Sequence, residues 1–259
     1  MNIRTKLFLI AITLLNSSAT TKPAGIIVGT VVIDAGHGGK DPGTHGVFLK
    51  EKDVALSIAL KVGGYINQNI PGVKVVYTRT TDQYLGLDER AAIANKHKAD
   101  LFICIHANAV GREEAHGTET YVMGLHKSEG NLDVAKRENS VILLDQNYQE
   151  RYEGFDPNSP ESNILFSIAQ SAFQESSIKF AEKVESQFKK RVGRQSHGVK
   201  QAGFWVLWRT SMPSVLIEVG FLTNQKEERF LGDPNGQDLI ASGIYRAFKE
   251  YKNQMEALN

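Results

Sequence analysis

Disulfide chemistry is closed to this chain, which contains a single cysteine, Cys104. None is needed for folding: 259 residues with 41% apolar and 23% charged content can bury one sizeable core. Clustered cations are also missing. Lys and Arg number 30 against 29 Asp and Glu, a formal net charge of +1. No basic run is available to track a phosphate backbone, which argues against nucleic acid as a partner. Nor is there an apolar run of the ~20 residues that cross a bilayer. The N-terminal run, residues 7–15, follows Arg4 and Lys6 and precedes small polar residues. That order reads as a signal peptide over residues 1–21, cleaved near residues 18–21, and not as a stable membrane span. Export without disulfides suits a bacterial periplasm or cell surface. Repeats and low-complexity tracts are absent. Residues 22–29 read as a linker and 30–255 as a single domain.

Inside that domain two kinds of segment alternate. GTVVIDA (29–35), VKVVYTR (73–79), ADLFICIHAN (99–108), GTETYVM (117–123) and PSVLIEVGF (213–221) are apolar, β-branched runs of the buried-strand kind. EKDVALSIALKVGGYINQ (51–68), LGLDERAAIANKHK (85–98) and QDLIASGIYRAFKEYKNQ (237–254) carry apolar residues at helical spacing. Such alternation predicts an α/β fold with a mostly parallel sheet covered on both faces. Residues 127–192 break the rhythm. NLDVAKRENSVILL (131–144) reads as one helix and 162–192 as a longer one, with the acid-rich loop DQNYQERYEGFDPNSPE (145–161) between. A connection of that length in a compact domain is often a lid or a binding element.

Ligands of parallel α/β sheets sit at the carboxyl ends of the strands. The first strand ends at Asp34 and leads to His37 in the loop AGHGGKDPG; the third ends at His106, followed by Asn108; the last carries Glu218; the first helix opens at Glu51. Two histidines and two carboxylates thus converge on one rim. A His/His/Glu set is that of a catalytic zinc site, with one open position for water and a further carboxylate as general base. The glycines would let backbone approach the metal, and Asp34 or a carbonyl could orient His37. Each residue alone has a plainer reading. A histidine at a strand end is a polar rim residue, and Glu51 suits a helix's first turn. Glu218, inside an apolar strand, resists such a reading, because a buried carboxylate is costly unless paired.

The blocks VVIDAGHGGKDPGTHG…EKDVAL, YTRTTDQYLGLDERAAIAN, ADLFICIHANA, GTETYV and MPSVLIEVGFLTN, in that order, resemble the zinc-dependent N-acetylmuramoyl-L-alanine amidases of the cell-division type. The resemblance implies a sheet of about six strands with helices on both faces and a helical insert. It implies one Zn2+ held by His37, Glu51 and His106, with Glu218 catalytic. The substrate would be peptidoglycan, cut between N-acetylmuramic acid and L-alanine for wall remodelling and daughter-cell separation. Cys104, where many relatives have serine, lies in an apolar strand and reads as buried and inert. Asp34, Arg79 and Asn108 are candidates for substrate or supporting contacts, and Arg90 for a structural pair with Asp82 or Asp88. The remaining histidines, 45, 97, 116, 126 and 197, read as non-ligands, and Trp205 and Trp208 as core instead of a sugar platform.

Related cell-division amidases carry an insert that covers the zinc with an added glutamate ligand until an activator displaces it. The resemblance extends that expectation to residues 128–175, with Glu150, Glu153 and Glu161 as candidates and an activator protein at the division site as partner. An ordinary solvated loop is the alternative. No other segment reads as a wall-binding module, so targeting is expected from the domain or from a partner. Two rival functions stay open at this point: a zinc peptidase or carboxypeptidase, since the same chemistry attacks any amide, and a non-catalytic wall-binding regulator.

Overall fold

A computed structural model of the chain describes residues 27–112, 114–159, 161–162 and 172–258. The segment read as a signal peptide, most of the linker and residues 163–171 lie outside the described residues. Six strands form one sheet: β1 (Thr30–Ala35), β2 (Lys74–Tyr77), β3 (Leu101–Asn108), β4 (Thr118–Met123), β5 (Ser196–Ala202) and β6 (Ser214–Phe221). Their order is β2-β1-β3-β6-β4-β5. Every pairing is parallel except β4 with β6. The expected α/β architecture, mostly parallel and six-stranded, is therefore present.

Helices cover both faces. α1 (Glu51–Asn69) buries Val54, Ala55, Ile58, Ala59, Val62 and Ile66, a stripe at helical spacing. It packs against β1 and β3 beside α8 (Pro234–Ala257) and near α5 (Gln174–Gln187). On the opposite face lie α2 (Leu87–Lys96), α3 (Glu129–Asn139) and two short helices, α4 (Tyr148–Arg151) and α6 (Trp205–Trp208). α7 (Gln225–Gly232) follows β6 and leads into α8.

Some segments depart from the sequence reading. β5 was not singled out, because SHGVKQA is polar and lies at a sheet edge. Residues 131–144 are not one helix: α3 stops at Asn139, and a 3-10 turn (Ser140–Leu144) follows. The stop has local causes. The Asn139 side chain donates to Gly203 O and accepts from Trp205 N, and the Ser140 hydroxyl donates back to Arg137 O. Trp205 and Trp208 stand on a helical turn, and Trp205 is buried, as the core reading expected.

Candidate metal centre

Alternate residues of a strand share a face. Val32, Cys104, Leu216 and Tyr121 belong to the apolar cluster under α2 and α3. Asp34, His106, Glu218 and Glu119, each two positions from one of these, therefore face the same side. In register, His106 lies opposite Glu218 across β3 and β6, and Glu119 lies opposite Glu218 across β4 and β6. The sheet alone thus sets one imidazole between buried carboxylates.

The β1–α1 loop adds the second imidazole. His37 adopts a left-handed φ of 59°, which costs a non-glycine residue free energy and must be held by its surroundings. Three buried groups hold it. Arg90 donates to Asp34 Oδ1, Ala35 O and His37 O, and Arg79 donates to Ala35 O, Gly36 O and Lys52 O. Asp41 Oδ2 lies 2.7 Å from His37 Nδ1, leaving Nε2 to face inward. Asp41, not Asp34, is thus the carboxylate that orients the ring. Asp34 acts one step back, accepting from Thr78, Arg90 and Cys104. Burial opposes its charge, but Arg90, then Cys104 and Thr78, outweigh it and hold the carboxyl below its usual value. Arg79 is buried against backbone carbonyls and offers nothing to a substrate. Arg90 has neither of its expected partners, since Asp82 pairs with Lys52 and Asp88 with Arg151.

Glu51, fully buried in the first turn of α1, reaches the same point from the other face of the sheet. Its Oε2 accepts from Thr44 N and its Oε1 from Ala107 N. Gly43, at φ +66°, permits the approach, because a Cβ there would sit 2.6 Å from both Glu51 Oε2 and His37 Cδ2. A fourth group, which the sequence reading did not single out, comes from α3. Glu138 Oε2 lies 3.2 Å from His37 Nε2 and 2.9 Å from His106 Nδ1. Glu51 lies 3.0 Å from His37 Nε2 and 2.9 Å from His106 Nδ1. The four side chains offer ligand atoms within 4.8 Å of one another, and no other such group occurs among the described residues.

These residues fit a metal ion. His37 Nε2 and Glu138 Oε2 are buried without a hydrogen-bond partner, the signature of atoms arranged for something other than each other. Tetrahedral zinc with ~2.0–2.1 Å bonds separates its ligand atoms by about 3.3 Å, close to the spacings found. Two imidazoles with carboxylates are a zinc-type donor set.

The expected insert glutamates are elsewhere. Glu150 is exposed on α4, Glu153 pairs with Arg209, and Glu161 accepts from Ser159 at the surface. Glu138 reaches the centre because it lies on the buried stripe of α3 with Asn131, Val134 and Ala135. An acid at helical spacing from Val134 and Ala135 is the available signal. Neighbouring Arg137 donates to Ala109 O and to Asn108 Oδ1, and its NH2 lies 3.5 Å from Glu218 Oε1. Asn108 also donates to Glu119. Cys104 is buried as expected, its thiol pushed up by burial and then by Asp34 to about 12.

Glu218 is fully buried, and neither carboxyl oxygen has a hydrogen-bond partner. Burial, then Glu138, raises its pKa well above the ordinary 4.5, against the pull of Arg137. An acid whose folded pKa is raised destabilises the fold only where the unfolded chain would ionise it. The cost is absent below about pH 4.5, grows above it, and is full beyond the folded value. A tenfold change in proton affinity is worth about 1.4 kcal/mol, and 1 kcal/mol moves Tm by about 2–4 °C at this length. Each tenfold rise in the folded-state proton affinity of Glu218 is therefore worth about 3–6 °C in Tm, and in metal-free protein Glu218→Gln is expected to raise Tm more at pH 8 than near pH 4. Equal changes in Tm at both pH values in thermal melts would mean that the carboxylate is not strained.

The sequence pattern of the N-acetylmuramoyl-L-alanine amidases matches residues 31–250. The AmiA amidase of Escherichia coli is 31% identical over 224 residues, 85% of this chain and 75% of that protein. The structure of an N-acetylmuramoyl-L-alanine amidase from Clostridium difficile 630 aligns over 88% of this chain and 98% of its own, with TM-score 0.65 and 28% identity. The CwlD amidase of Clostridioides difficile, solved in complex with the GerS lipoprotein, aligns over 87% and 99%, with TM-score 0.65 and 25% identity. A match over most of the chain, on the fold that gathers these residues, establishes that this chain belongs to the N-acetylmuramoyl-L-alanine amidases, hydrolases of bacterial peptidoglycan.

Proposed function

We propose that the chain is a zinc-dependent, self-blocked amidase, with zinc on His37, Glu51 and His106 and Glu138 as a removable fourth ligand. The observation that carries this reading is the buried four-residue group with orphaned His37 Nε2 and Glu138 Oε2 atoms, beside an orphaned Glu218. Zinc in such a site polarises a carbonyl and lowers the pKa of water to about 7. Glu218 takes the proton of the attacking water and delivers it to the leaving amine of L-alanine. Its full burial opposite His106 suits a group that holds one proton between the two steps. Asp41 fixes the His37 ring, and Arg79 and Arg90 fix its backbone.

With α3 seated, Glu138 fills the position that water needs, and Arg137 faces the atom that would take the proton. A partner that lifts α3 would restore activity. The CwlD complex with a lipoprotein supports the idea that an amidase of this fold can bind a protein partner. Export through the N-terminal leader, wall remodelling and daughter-cell separation complete the proposed role. No helix among the described residues is long and apolar enough to cross a membrane.

The test is mass spectrometry of products released from purified peptidoglycan, with and without a zinc chelator. Stem peptides beginning at L-alanine, lost on chelation and regained with zinc, are the expected outcome. Cuts within the peptide would favour a peptidase, and products that persist with chelator would remove the metal from the mechanism.

A further inference from the structure

A cavity of about 430 Å³ opens beside the metal centre, lined by Asn108, Glu119, Tyr121 and Lys200 from the sheet and by Asn131 and Val134 from α3. α3 runs from this cavity to the metal centre, and its Arg137 occupies the gap between them. That guanidinium satisfies Ala109 O at 2.9 Å and Asn108 Oδ1 at 3.0 Å, and lies 3.5 Å from Glu218 Oε1. Two acceptors and the proposed proton carrier thus converge on N–H donors of the chain itself.

We propose that this cavity is the subsite for the leaving stem peptide, that Arg137 stands in for the peptide's N–H groups, and that Lys200 selects a carboxylate on the residue after L-alanine. The proposal rests on the amidase reading, because that reading sets the direction. Glu218 protonates the leaving amine, so whatever lies beyond Glu218 toward Asn108 receives the amine side of the bond. That side is peptide, and its next residue in peptidoglycan is D-glutamate, free or amidated at its α-carboxyl.

The cavity floor has the means to tell these apart. Glu119 accepts from Asn108, Tyr121 and Lys200, tying the three together. Lys200 carries three N–H donors, of which the described residues engage only the one on Glu119. A carboxylate entering beside it gains an ion pair with the ammonium, where an amide oxygen gains only a hydrogen bond from it.

The probes are the dipeptide L-alanyl-γ-D-glutamate and the same peptide with its α-carboxyl amidated, titrated into the full-length chain and followed by protein NMR. The acid is expected to bind about 10-fold more tightly than the amide. Lys200→Met should bring that ratio to about 1, and Lys200→Arg should restore it. Arg137→Ala should bind both peptides more tightly than the parent, with the ratio kept. Equal binding of the two peptides, binding of neither, or discrimination that survives Lys200→Met would overturn the subsite. Binding is read without turnover. A folded, zinc-loaded Glu138→Ala chain that frees no alanine-terminated peptide from peptidoglycan would therefore cost the amidase reading and leave this measurement to decide the subsite alone.

Discussion

Glu218→Gln is expected to lower kcat by about 10²–10⁴-fold, the usual worth of a positioned general acid–base, while zinc content and the metal-site residues stay intact. The substitution keeps size and removes only the titrating group. Glu218 lies in mid-sheet opposite His106, fully buried, so a neutral amide there avoids the cost of burying a charge where the carboxyl would ionise. The same change that cripples turnover should therefore stabilise the metal-free protein at alkaline pH. A site residue that trades stability for chemistry has this pair of signatures. Steady-state rates on muropeptides, in the parent and in a Glu138→Ala background, read the first half. A variant that retains more than a tenth of the parent kcat would show that the proton moves elsewhere, and metal analysis would exclude simple loss of zinc.

Much of this site was legible in the sequence because period-two alternation and strand ends do most of the positioning. Asp34, His106 and Glu218 each follow an apolar residue at i−2 in a strand, so parity alone puts them on one face. His37 needed the loop, whose glycines and proline announce a turn without giving its aim. The residue that aims it, Asp41, is only four positions on, but a loop has no period from which its partner could be read. β5 escaped because an edge strand need not be apolar. Glu138 escaped for the opposite reason. Carboxylates are plentiful in the acid-rich loop, whereas the one that matters lies on the buried face of a helix beside Val134 and Ala135. A buried acid needs a partner, and the partner here comes from residues 32 and 101 positions earlier, beyond any local signal.

The position of Glu138 makes a second large effect testable with one substitution. Glu138→Ala is expected to raise basal amidase activity by about 10- to 100-fold. A hydrogen bond to a charged group contributes about 1.5–3 kcal/mol, taken here as the scale of the Glu138 contact, and 1.4 kcal/mol is a factor of ten. The reasoning does not require α3 to leave. Asn139 still anchors the helix to Gly203 and Trp205, but without the carboxylate a metal held by His37, Glu51 and His106 would be open to water, as the proposed reaction requires. Excising residues 128–161 asks the same question less cleanly, because Val134, Ala135, Val141, Ile142, Tyr152 and Phe155 all belong to the core on that face, and their loss would open it. Glu150→Ala and Glu153→Ala serve as controls and should leave activity where it was, since both side chains point to solvent. Release of dye-labelled peptidoglycan by the four chains decides the matter. Unchanged activity in a folded, zinc-loaded Glu138→Ala chain would mean that α3 does not block this enzyme. A rise in the Glu150 or Glu153 variants instead would return the blocking role to the loop.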